Sequence, residues 1–119
     1  MVRETLAAGA RHATLFVPAA HGLQFKWRSA TDDNTDPGIV DIVPSARLNS
    51  PILLRLTRRG TTIAAAYSSD GGRSYRPAGP PQRFNPPLAN TVYAGLAITS
   101  RDESQVTEAK FSGLRIERR

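Results

Sequence analysis

Between Pro51 and Tyr75 apolar and polar positions alternate: Ile52, Leu54 and Leu56 take turns with Leu53, Arg55 and Thr57. After Arg58-Arg59-Gly60 the alternation resumes with Ile63, Ala65 and Tyr67. A period of two marks strands with one buried face, and Gly60 supplies the positive φ that a tight turn requires. The stretch predicts a β-hairpin. Ser68-Ser69-Asp70-Gly71-Gly72 predicts a second turn, because Asp bonds its own backbone and Gly takes the left-handed position, and Tyr75 restarts a strand.

The same pattern extends in both directions. Val2 to Leu6 predicts a short first strand. His12 to Pro18 predicts another, with Leu15 and Val17 on one face and Thr14 and Phe16 on the other. Leu23, Phe25 and Trp27 alternate cleanly with Gln24, Lys26 and Arg28, so one side of that strand is core and the other wet. Gly38 to Val43 is a further short strand. Arg76 to Asn90 carries prolines at 77, 80, 81, 86 and 87, too many for a helix or a central strand, and reads as a surface crossover. Thr91 to Ser100 is nearly continuous in apolar residues, as a central strand covered on both faces would be, with Gly95 marking a close approach. Residues 105–118 predict the last strand, and the phase slips between Ala109/Phe111 and Leu114/Ile116, so Ser112-Gly113 would absorb one residue as a bulge. No segment has helical periodicity. Eight or nine short strands separated by Gly and Pro predict an all-β, antiparallel β-sandwich or barrel.

Composition narrows the picture. At 119 residues the chain fits a single domain spanning 1–119, and it contains no cysteine for disulfides or thiolate metal sites. No stretch approaches eighteen consecutive apolar residues, and the N-terminus lacks the basic-then-apolar layout of a secretory signal. Net charge is +6, with Lys and Arg together numbering 16. The basic groups are scattered without interleaved aromatics, so no specific nucleic-acid binding is expected. Asp32, Asn34 and Asp36 have the alternate spacing of a calcium loop, but Pro37 stands where a helix-flanked loop needs Gly and Val43 where it needs an acid. Residues 31–38 therefore read as a solvated hairpin loop, with no metal site.

With these strands placed, the chain resembles uncharacterised, regulator-of-enolase-like domains of the concanavalin A-like lectin/glucanase superfamily. The resemblance rests on Met1-Val2-Arg3-Glu4-Thr5-Leu6 with His12, on Leu54-Arg55-Leu56-Thr57-Arg58 with Gly60, and on Ser69-Asp70-Gly71 with Tyr75. It continues through Val92 to Ser100 and Ala109-x-Phe111-x-x-Leu114-x-Ile116, and so covers the whole chain. It implies a jelly-roll sandwich and an extracellular or cell-surface setting. Members of the family carry further strands before the Met-x-Arg-Glu segment, so the resemblance also implies a domain shortened at its N-terminus. Unpaired edges would then favour self-association.

Catalytic chemistry finds no footing in the residues. The histidines, His12 and His21, read as surface or turn residues, and no G-x-S-x-G elbow surrounds a serine. Glycoside hydrolysis needs two facing carboxyls. The glucanases of the resembled superfamily place theirs as Glu-x-Asp-x-x-Glu on one strand, a pattern that no strand here carries. The expectation is a noncatalytic module without cofactor that binds carbohydrate or polysaccharide through Arg3, Gln24, Lys26, Arg28 and Tyr93. The alternative is a protein-interaction or assembly module that receives a partner strand at an exposed sheet edge.

Overall fold

The computed structural model describes residues 1–18, 22–44, 51–97, 104 and 109–117, with backbone alone for 36, 37 and 39–41. The described residues form nine strands: β1 Val2–Arg3, β2 His12–Phe16, β3 Leu23–Arg28, β4 Asp36–Val43, β5 Leu53–Arg59, β6 Thr62–Ser68, β7 Arg76–Pro77, β8 Gln82–Arg83 and β9 Tyr93–Ala94. No helix occurs among the described residues. Every pairing is antiparallel. One sheet has five strands in the order β4-β3-β2-β1-β9, and the other has four strands built around β6. Because β5 pairs along the full length of β6, from Leu53↔Ser68 to Arg59↔Thr62, β7 and β8 lie end to end on its other edge.

Alternation decides which side chains meet between the sheets. Ala13, Leu15, Leu23 and Phe25 of the first sheet pack with Ile63 and Ala65 of the second, and Val2, Trp27, Leu56 and Tyr67 border them. Two-residue Gly60-Thr61 turns the hairpin, with Gly60 at φ 58°, the left-handed region where a Cβ is unfavourable. The all-β sandwich expected from the strand pattern is the fold observed.

The proline-rich segment departs from expectation. It is no mere surface crossover: Ala78, Phe84 and Leu88 are 0%, 1% and 3% exposed and belong to the core. Ala78 N donates to Ala65 O at 2.8 Å and Phe84 N to Thr61 O at 2.7 Å, so the segment is laced to the β6 edge on both sides of Pro80-Pro81. The apolar run after Thr91 departs as well. Within the described part it contributes only β9, at the sheet's edge beside β1, where Tyr93 and the following Leu96 are each 52% exposed. A Cβ on Gly95 would meet nothing within 4 Å, so no neighbour presses on it. Residues 109–117 form no strand and their Phe111, Leu114 and Ile116 are exposed; 98–103, 105–108 and 118 lie outside the described residues. Val17, expected beside Leu15, lies beyond β2 and is exposed.

Candidate functional site

Strand register gathers the sequence-derived candidates onto one surface. Arg3 is opposite Tyr93 on one side and His12 on the other, and His12 is opposite Arg28. Directly paired residues share a face, so Tyr93, Arg3, His12 and Arg28 form one row across β9, β1, β2 and β3. The next rows are Thr14 with Lys26 and Phe16 with Gln24. Their neighbours Val2, Ala13, Leu15, Phe25 and Trp27 point into the core. All five candidates therefore occupy the outer face of the five-stranded sheet, joined by His12, Thr14 and Phe16. The alternation of β2 held the signal for those three, since 12, 14 and 16 share a phase.

The face is drier than its polar residues suggest. Gln24 is 5% exposed and His12 8%, so neither is a surface residue. Lys26 holds its ammonium 5.8 Å from the centre of the Phe16 ring. The arginines are committed to the β1–β2 loop, whose carbonyls lack strand partners. Arg3 Nε donates to Thr5 O at 2.7 Å and its Nη2 to Ala7 O. Arg28 Nη1 donates to Ala8 O at 2.7 Å and Ala10 O at 3.3 Å, while Nη2 donates to Thr35 Oγ1. Burial lowers the His12 pKa to about 4, and Arg28, Arg3 and the N-terminal amine add repulsion. The ring is neutral at pH 7, with Nδ1 3.1 Å from Thr14 Oγ1. Tyr93 alone among the candidates is open to solvent over half its surface.

A second polar cluster, unforeseen in the sequence, sits at the end of the sandwich. Arg11, 7% exposed, pairs with Glu4 and donates from Nη1 to Pro86 O at 2.6 Å and from Nη2 to Pro87 O at 3.0 Å. Ala89 N donates to Glu4 Oε2 at 2.8 Å, and Arg58 donates to the carbonyls of Leu88 and Ala89. Arg11, ahead of Ala89 and Arg58, holds the Glu4 carboxyl below its ordinary pKa, against the opposing effect of burial. Such a carboxylate is ionised and saturated with donors, and so poorly suited to donate a proton in glycoside hydrolysis.

Ile42, Val43, Pro44, Tyr67, Ser69 and Arg76 line a cleft of about 300 Å³ between the sheets. None of the five candidate residues lines it. No group of three His, Cys, Asp or Glu residues is arranged to hold a metal ion among the described residues. Compared with protein-family models, curated proteins and solved structures, the chain matches none.

Proposed function

We propose that the chain is a noncatalytic carbohydrate-binding module of concanavalin A-like jelly-roll type, with the outer face of the five-stranded sheet as its binding surface. The observation that carries this reading is the row Tyr93–Arg3–His12–Arg28, in which an exposed phenol ring ends a line whose two arginines are held by the β1–β2 loop. A sugar ring stacks on the aromatic while its hydroxyls meet polar side chains, and a surface ordered beforehand loses less entropy on binding. Tyr93 supplies the stacking ring and Lys26 a donor. Arg3, Arg28 and Gln24 shape the surface. The test is a glycan panel read with the wild type, Tyr93→Ala and Lys26→Ala. The reading requires at least one neutral glycan to bind and Tyr93→Ala to weaken it about tenfold, the scale of one aromatic contact. If the panel is silent, or Tyr93→Ala binds like the wild type, the reading fails.

The alternative of assembly through a sheet edge has its own observation. Tyr93 and Leu96 at the β9 edge, and Phe111, Leu114 and Ile116, are 52–67% exposed. These exposed apolar residues suit a contact between the β9 edge and a second copy. Light scattering would then give a dimer that Leu114→Asp with Ile116→Asp returns to monomer; a monomer at every concentration removes this reading.

A further inference from the structure

Charge is divided unequally between the two sheets. Residues 1–44 hold Arg3, Arg11, Lys26 and Arg28 against Glu4, Asp32, Asp33, Asp36 and Asp41, a net of 4 − 5 = −1. Residues 51–97 hold Arg55, Arg58, Arg59, Arg73, Arg76 and Arg83 against Asp70 alone, a net of 6 − 1 = +5 of the chain's +6. Of these two stretches, the one that builds the second sheet is the basic one.

Register shows where that charge is presented. Ile63 and Ala65 point to the core, so Thr62, Ala64 and Ala66 face outward. Thr62 lies between Arg59 of β5 and Arg83 of β8, Ala64 beside Thr57, and Ala66 between Arg55 and Pro77. Arg55, Arg59 and Arg83 are all exposed. The result is a floor of Thr and Ala with Arg55 and Arg59 along one side and Arg83 on the other. Arg59 and Arg83, two strands apart, are separated by roughly 10 Å of sheet, and Arg55 and Arg59 by roughly 13 Å along one strand. The single carboxylate of this half, Asp70, is taken up by its own turn, accepting from Ser68 Oγ at 2.8 Å, Ser74 N at 3.0 Å and Ser74 Oγ at 2.6 Å. No counter-charge on these rows neutralises the arginines.

We infer that the outer face of the second sheet binds a linear acidic polysaccharide, with Arg59 and Arg83 gripping successive carboxylate or sulfate groups and Arg55 a third. Charge complementarity names a polyanion, and the guanidinium fork suits planar oxyanions better than an ammonium would. The surroundings name the polymer. Single-stranded nucleic acid needs free aromatic platforms for its bases, but the Tyr75 ring carries the Arg55 guanidinium 3.8 Å from its centre. A duplex groove is read by a protruding element, whereas these arginines stand on paired strands of one sheet. An extended sugar chain lies flat on small side chains with its anions at the rim. The site is separate from the Tyr93 row and does not depend on it.

The experiment titrates the whole chain with polygalacturonate, dextran, duplex DNA and poly-dT at matched salt. Binding of polygalacturonate in preference to the other three is expected, weakening as salt rises. Arg59→Gln with Arg83→Gln should weaken it by about tenfold or more, the value of one lost charge-assisted hydrogen bond or more. Lys110→Gln with Arg115→Gln, which removes equal charge elsewhere, should cost less than about twofold, and Tyr93→Ala should leave this binding intact. All the substituted basic side chains are exposed, so melting temperature serves as the check on folding. Equal losses from the two charge pairs, tighter binding to either DNA, or no binding to polygalacturonate overturns the inference. A loss confined to Tyr93→Ala and a neutral glycan would concern only the first sheet.

Discussion

Arg11 and Glu4 face each other as a two-pronged pair, Nε to Oε1 at 3.0 Å and Nη2 to Oε2 at 2.6 Å. Their side chains are 9% and 19% exposed; Arg11 Nη1 and Nη2 also donate to the carbonyls of Pro86 and Pro87, and Glu4 Oε2 accepts from the N–H of Ala89. Removing one partner strands the other charge in a largely dry place. Arg11→Met is expected to cost about 3–5 kcal/mol in denaturant unfolding. Adding Glu4→Gln should recover part of that, because the two residues act as one unit; strictly additive losses would show that they do not.

His12 predicts a pH response that sets in above the carboxylate range. Its pKa is about 4 in the fold and near 6.5 when unfolded, so the unfolded chain takes up the proton first as pH falls. The stability from keeping the ring neutral is complete above about 6.5 and declines from there toward pH 4. His12→Gln should flatten melting temperature between pH 6.5 and 4.5. A slope unchanged in the variant would place the titrating group elsewhere.

Asp70 governs a lower range. Ser74, through its side chain and backbone, and then Ser68 lower its pKa to about 2 from an ordinary 3.8. A depressed carboxylate contributes stability that is present above its unfolded pKa and lost as pH falls through the folded one. Asp70→Asn should therefore weaken the turn at pH 7 and erase this part of the acid response below about pH 4. Acid titrations followed by circular dichroism would register both effects.

Three glycines should rank in a set order. At Gly38 a Cβ would fall 2.2 Å from Phe25 O and 2.9 Å from Lys26 Cα, with φ at +67°. Gly38→Ala should cost about 2 kcal/mol or more, since backbone has to move. Gly60, at φ +58° with nothing within 4 Å, carries only the left-handed penalty of about 1–2 kcal/mol. Gly95 has open space and no positive φ, so Gly95→Ala should be neutral or stabilise by up to about 1 kcal/mol. Chemical denaturation of the three variants checks the order.

How much of this was legible depended on how local the cause was. The β5–β6 hairpin and the inward Leu23 and Phe25 follow from alternation over consecutive residues, and the observed register agrees. Ala78, Phe84 and Leu88 have no such period, because β7 and β8 are two residues each and the bends between them aim side chains inward irregularly. An apolar run suggested a central strand at Thr91–Ser100, yet composition does not reveal that β9 stands at an edge. The candidate face divides similarly. Alternation put Gln24, Lys26 and Arg28 together, whereas the commitment of the Arg3 and Arg28 forks depends on a loop folding back over them. That fold-back involves Gly9, where a Cβ would meet the Asp32 carboxylate, a contact between loops far apart in the chain.

The pairing of β1 with β9 sets an order in time. The β5–β6 hairpin closes across a two-residue turn, but Val2↔Ala94 and the hydrogen bond from the Met1 amine to Gly95 O, 94 residues apart, require nearly the whole chain to be gathered first. Distant closures form late and, when they rest on two residues a side, open early. Hydrogen exchange should therefore proceed faster at Tyr93 and Ala94 than along β6. The row across the first sheet is thus completed last, and its exposed aromatic ring rides on the strand that is quickest to leave.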